Sequence, residues 1–376
     1  MKSTPVSDNI FSRFSISPER GFLPDYTPLE SLGSPFEAWD QLAYELPQLI
    51  HEQKVKESLT SLSDFPLQSL QSPNEKERAM LILAHVASAY VWETGEMREH
   101  IPPIVAIPFA RLADELGRPA IVHHMTNVMY NWRKKDPAGD LRGENMEALI
   151  SFNDSPQEAW FYNVTAEIES VGAAALPEMI MIHEKGRKLG EEELHLSLTK
   201  LHQILLEMNR SLNRMIDQLD PDFFYHKIRP FLSSFVNIEF QGVENNPIRS
   251  YAGGSAAQSS LIQAFDVLIG ITHPHGSGKY LLAMRDHMPP PHKAFLEWME
   301  EGESLGDMIS SYPKEKEIYQ ALLDALLAFR NTHLKIVANF IAGPAKRSGK
   351  SSEGTGGTDA LSFLKEVRND MKKHQD

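Results

Sequence analysis

Cysteine is missing from all 376 residues of the chain. That absence excludes disulfides, iron–sulfur clusters, thiolate-ligated or covalently attached c-type haem, and a cysteine nucleophile. Any metal must rest on His, Met, Tyr or carboxylate side chains. An excess of positive charge is missing too. The formal net charge is −14, and basic residues gather only in short loops such as Arg133-Lys134-Lys135. Phosphate binding is driven by clustered Lys and Arg, so a nucleic-acid partner is not expected. No apolar run approaches the ~20 residues that span a bilayer. The N-terminal stretch MKSTPVSDNIFSRFSISPER lacks the apolar core of a secretion signal. A cytoplasmic chain with no membrane partner is the expectation. HExxH and paired acidic spacings are absent, and HGSGKY (275–280) lacks the first glycine of a phosphate loop.

What is present describes a large helical protein. A hydrophobic fraction of 41% beside a charged fraction of 23% suits a globular chain with a sizeable core. The length allows one large domain or two ordinary ones, at ~150 residues each. Amphipathic helical patterns cover 36–62, 75–98, 158–184, 258–271, 316–342 and 359–373. The clearest runs from Glu191 to Leu219, with Leu194, Leu198, Leu201, Leu205, Met208, Leu212, Met215 and Leu219 on one side before Asp220-Pro221 stops it. Strand-like runs are scarce, and IVAIPFA (104–110) is the best of them. The proline-marked stretch 99–120 reads as a connection between a smaller N-terminal part, residues 1–117, and a larger helical part, 118–376. Residues 343–358, rich in Gly, Ser and Lys, read as a mobile loop that leads back into a packed helix, the setting of many lids.

Several residues stand out against these patterns. His333 occupies the apolar face of a helix, seven residues from both Leu326 and Phe340, with Arg330 close by. Such a histidine is either a hydrogen-bonded core residue or an axial ligand held over an apolar slot. Asp266, inside QAFDVLIGI, either pairs with a cation, Arg330 being the natural one, or faces solvent. YAGGSAAQSS (251–260) has the small residues that let backbone approach a flat ligand, and equally those of a tight loop and helix cap. In DFFYHKIRPFLSSF, Phe224, Tyr225 and Arg229 suit an aromatic amino acid, with the rings holding the flat group and Arg taking its carboxylate; an ordinary amphipathic helix fits as well. His123-His124 and His273-Pro274-His275 read as loop histidines without metal-ligand spacing.

Taken in order, NWRKKDP (131–137), FFYHKIRPFLSS, YAGGSAAQSSLIQAFDVLIGI, MRDHMPPPHKAFL (284–296), FRNTHLKIV (329–337) and GTGGTDALSFLK (354–365) resemble the indoleamine 2,3-dioxygenase family, over roughly residues 30 to 370. The resemblance implies an all-α fold in which a smaller, mostly helical N-terminal domain covers a large helical domain holding non-covalent haem b. It implies opening of the indole ring of L-tryptophan by O2 to give N-formylkynurenine, with a reductant keeping the iron ferrous in a monomeric protein. By this resemblance His333 is the proximal iron ligand, Asp266 and Arg330 are its flanking ion pair, and Gly254, Ser255 and Ala256 lie on the backbone above the haem. Phe224 and Tyr225 pack the indole, Arg229 receives the carboxylate, and Thr355 closes over substrate on the mobile loop.

Three positions depart from the better-known members. Tyr225 stands where they carry a second phenylalanine, His124 where they carry tyrosine, and Asn163, placed by the flanking AEIE, where they carry serine or histidine. The expected pocket is more polar as a result. That keeps two alternatives beside tryptophan cleavage: a haem-based binding or sensing protein, and an oxygenase for another indole or aromatic.

Overall fold

A computed structural model describes residues 8–357 and 359–375. It is predominantly helical. The longer helices are α1 (Glu37–Glu52), α2 (Pro73–Trp92), α3 (Pro103–Leu116), α4 (Pro156–Gly172), α5 (Ala175–Lys185), α6 (Glu191–Asn213), α7 (Ser260–Ile269), α8 (Gly276–Met284), α9 (Pro290–Glu300), α10 (Lys316–Val337), α11 (Gly343–Ser348) and α12 (Ala360–Gln375).

Local chemistry sets many of their ends. Ser72 and Glu75 form a reciprocal capping box ahead of α2, with Pro73 at its first position. Ser155 and Pro156 start α4 in a similar way. Gly270, at φ 90°, closes α7 in the left-handed conformation that a residue with Cβ adopts reluctantly. Helix α2 is buried on nearly every side, from Glu77 to Val91. A continuous apolar core runs from Phe11 to Met371 around it. Within that core Phe14 meets Phe295 edge to face, with ring centroids 5.6 Å apart. Helix α10 lies along α6 on one side and α12 on the other, which fixes the position of His333.

The strand expected at 104–110 is helical instead, as the first turns of α3. Pro103 opens the helix and Gly117 closes it, and Val105, Ala106, Phe109, Ala110, Leu112 and Ala113 bury one helical face. In a seven-residue window that face looks like an unbroken apolar run, which periodicity alone cannot assign. Residues 99–120 are therefore a packed helix and a strand rather than an irregular connection.

The strands lie elsewhere. β1 (His100–Ile101) pairs in parallel with β4 (Phe235–Phe240), which pairs antiparallel with β5 (Ile248–Tyr251). β2 (Arg133–Lys134) and β3 (Met146–Glu147) form a separate antiparallel pair. The long 191–219 pattern breaks at Arg214, after which Met215–Gln218 makes one further turn. Part of the expected loop 343–358 is also ordered, since α11 occupies Gly343–Ser348 with Pro344 near its start. Thr358, the last threonine of the Gly-Thr-Gly-Gly-Thr run, lies outside the described residues. Among the described residues no helix is long and apolar enough to cross a membrane.

Candidate functional site

One cavity collects residues from α4, α7, α8, α10 and α12, together with the 254–257 and 354–356 segments. Along α10 it is faced by Phe329, Arg330, His333, Ile336 and Val337. His333 makes no hydrogen bond among the described residues. Burial, with Arg330 nearby, lowers its pKa to about 4, so the ring is neutral at physiological pH. A neutral imidazole with no partner, turned into an apolar slot, can coordinate a metal.

Asp266 is buried and its partner is Arg330, whose Nη2 donates to the carboxylate while Nη1 donates to the Val367 carbonyl at 3.1 Å. His273 joins them, with Nε2 3.5 Å from Asp266 and Nδ1 3.2 Å from Asp370. Burial alone would raise the Asp266 carboxyl, but Arg330 and His273 outweigh it and hold its pKa below the ordinary carboxylate value. For His273, burial acts downward and the Asp266 carboxylate more than offsets it, leaving the imidazole raised. His273 is a loop residue, as expected, and its ring is held between two buried carboxylates. Among the described residues no group of three or more His, Asp or Glu side chains is placed to hold a metal ion.

The 254–257 segment passes along the cavity with only small side chains, those of Gly254, Ser255, Ala256 and Ala257. Gln258 fixes it from behind: its Nε2 donates to the Gly253 carbonyl at 2.9 Å, and its Oε1 accepts from the His124 backbone N–H at 2.9 Å. His124 lines the cavity, and its Nε2 lies 2.9 Å from Glu169. Ser259 Oγ donates to the same carboxylate oxygen at 2.6 Å. The cavity wall therefore carries a buried His–Glu–Ser cluster.

Asn163 is not part of that wall. Its amide donates to the carbonyls of Gly143 and Met146, at 3.2 and 2.9 Å, and it does not line the cavity. Phe161, Thr165 and Glu169, spaced by four along α4, do. A residue two positions from Phe161 is turned about 200° away around the helix, so Asn163 and Phe161 cannot face the same space. From this helix Thr165, not Asn163, faces the cavity. The four-residue spacing in FYNVTAEIE was the signal that could have found it.

Phe224 faces the cavity, with its ring centroid 5.0 Å from Phe161 and 5.9 Å from Phe340. Tyr225, the next residue on the same turn, points elsewhere: it is absent from the lining and its hydroxyl donates to the Ser351 carbonyl at 2.5 Å. Arg229 is also absent from the lining. Its guanidinium stacks over the Tyr225 ring, 5.0 Å from the centroid, and donates through Nη2 to the Glu353 carbonyl. Its Nε is buried without a partner, and burial lowers its pKa from the usual arginine value.

Thr355 lies on the cavity. Its hydroxyl donates to the Gly254 carbonyl, and its own carbonyl accepts from Ser234 Oγ at 2.8 Å and the Gly253 N–H at 3.1 Å. This approach requires glycine at 253, where a Cβ would stand 2.1 Å from the Leu232 carbonyl oxygen.

The comparisons with known proteins agree in what they find. A family model described as Indoleamine 2,3-dioxygenase matches residues 10–374. Indoleamine 2,3-dioxygenase 2 of Mus musculus is 35% identical, over 95% of this chain and 93% of that protein. Indoleamine 2,3-dioxygenase 1 of Rattus norvegicus is 31% identical, over 98% and 96%. The indoleamine 2,3-dioxygenase of Saccharomyces cerevisiae is 30% identical, over 96% and 92%.

Proposed function

This chain belongs to the indoleamine 2,3-dioxygenase family and is a haem-dependent oxidoreductase, and we propose that it inserts both atoms of O2 across the indole C2–C3 bond of L-tryptophan to give N-formylkynurenine. The observation that carries this reading is His333, a neutral and unpartnered imidazole facing an apolar slot beside the small-residue backbone of 254–257. Those residues fit a flat porphyrin, which His333 would hold. Haem b, when bound, supplies the binding and activation of dioxygen.

The protein's share is orientation and exclusion of water. With haem bound, His333 would hold the iron from α10, and the Asp266–Arg330 pair sets the charge around that helix. Phe161, Phe224 and Phe340 offer ring faces and edges to the indole. Arg229 receives the substrate carboxylate, and Thr355 joins the segment that covers the site. No strong protein base is needed, in keeping with a cavity whose Glu169–His124 contact is already satisfied internally. All residues lining the cavity fall between His124 and Val367, which supports a division into a smaller part, 1–117, and a haem-holding part, 118–376. We place the protein in the cytoplasm as a monomer that depends on a cellular reductant.

The His124–Glu169–Ser259 cluster supports a second reading, in which the cavity binds oxygen or another indole without efficient turnover of tryptophan. The deciding experiment gives ferrous, haem-loaded protein L-tryptophan and O2. N-formylkynurenine is the expected product. Its absence, with oxygen still bound, would favour the second reading.

A further inference from the structure

The segment from Ser351 to Thr355 is held against the protein by alternate carbonyls. Tyr225 donates to that of Ser351, Arg229 to that of Glu353, and Ser234 and Gly253 to that of Thr355. The three carbonyls are held by one wall of the protein, so residues 351–355 lie along it as a strap. The strap continues into Gly354–Gly356 on the cavity, and Glu353 makes an antiparallel bridge with Asp359. Two contacts bear on substrate entry. Arg229 is already engaged, because its Nη2 donates to the Glu353 carbonyl. Tyr225, beneath the Arg229 guanidinium, anchors the strap two residues upstream.

We propose that Tyr225 is a positioning residue for the reaction, a latch whose hydroxyl seats the 351–355 strap so that the Glu353 carbonyl occupies Arg229 until a substrate carboxylate displaces it. The proposal rests on the reading of Arg229 as the carboxylate receptor. It explains the hydroxyl that sets Tyr225 apart from phenylalanine: that oxygen belongs to the strap, not to the indole pocket. It also separates substrates by chemistry. An indole bearing a carboxylate must compete with the strap, whereas an indolylethylamine without one need not.

Tyr225→Phe keeps the ring beneath Arg229 and removes only the anchor. Two measurements on haem-loaded protein test the latch. Trypsin cleavage after the exposed Lys350 is expected to be about fivefold faster in the variant, the scale of one net hydrogen bond. Equilibrium binding to the anaerobic ferrous protein, read from the haem absorption band, is expected to tighten by a similar factor for L-tryptophan and to stay constant for tryptamine. Equal cleavage of the two proteins, or equal changes in the two affinities, would overturn the latch. If both contrasts appear while wild type makes no N-formylkynurenine, the latch stands and the proposed reaction falls.

Discussion

Asp266 and Arg330 form a buried ion pair one helical turn before His333, and Arg330 also holds the Val367 carbonyl of α12. The pair thus joins α7, α10 and α12 at the helix that presents the imidazole. Asp266→Ala leaves a buried guanidinium without its counter-ion, a change that costs about 3–5 kcal/mol. Urea unfolding of the variant should show that loss, and hemin affinity should weaken with it. Unchanged stability would mean the pair contributes nothing to the support of α10.

Acid should destabilise the protein through histidines held neutral. Burial lowers His85, His292 and His333 each to about 4. Between that value and an unfolded pKa near 6.5, the unfolded chain binds protons that the folded chain does not. Stability therefore falls as pH drops through that window, by up to roughly 3 kcal/mol per histidine. Asp266 adds to the loss only lower down: its folded pKa is depressed, so its contribution is present above the ordinary carboxylate value and disappears below it. Denaturation midpoints from pH 7 to pH 4.5 should show the decline, and His85→Leu should make it shallower by about one proton. An identical slope in that variant would contradict the assignment.

Asn163 and Thr165 should behave oppositely. Asn163→Ala removes two hydrogen bonds to backbone carbonyls, at 3.2 and 2.9 Å, and should cost about 1–3 kcal/mol with no change in the haem spectrum. Thr165→Phe projects into the cavity and should raise the Michaelis constant for tryptophan at least tenfold with little loss of stability. Calorimetry and steady-state kinetics on the two variants read both effects. The reverse pattern would mean that Asn163, not Thr165, faces the substrate.

Gly253→Ala should disturb the strap. Its Cβ would meet backbone on three sides, 2.1 Å from the Leu232 carbonyl oxygen and 2.7 Å from both the Ser233 carbonyl carbon and the Thr355 oxygen. Because none of these is a flexible side chain, the 253–255 segment or the strap must move. Faster proteolysis at Lys350 is expected. A wild-type cleavage rate would show that the segment is not closely packed.

Periodicity and end signals made most of the fold legible. The alternating leucines of α6 and the stripe around His333 read directly from sequence, but α6 ends at Asn213, before the expected stop at Asp220-Pro221. The misreadings have a common cause. The seven residues of IVAIPFA are too short a window to separate strand from helix. At Asn163 and Tyr225 neighbours in sequence are a poor guide, because helical rotation sends adjacent residues to different surfaces. The Glu169 cluster depends on Ser259, 90 positions away in the chain, which no local pattern encodes. The charge pair could be guessed from chemistry alone, because a buried carboxylate and a buried guanidinium each require a partner.

The central claim is that the imidazole of His333 holds the iron. Titrating the purified protein with hemin and then reducing it, for wild type and His333→Ala, tests this directly. Wild type should take up one haem per chain and give the five-coordinate, histidine-ligated ferrous spectrum, while the variant should lack that spectrum. A wild type that binds no hemin, or a variant whose ferrous spectrum matches wild type, would contradict the account.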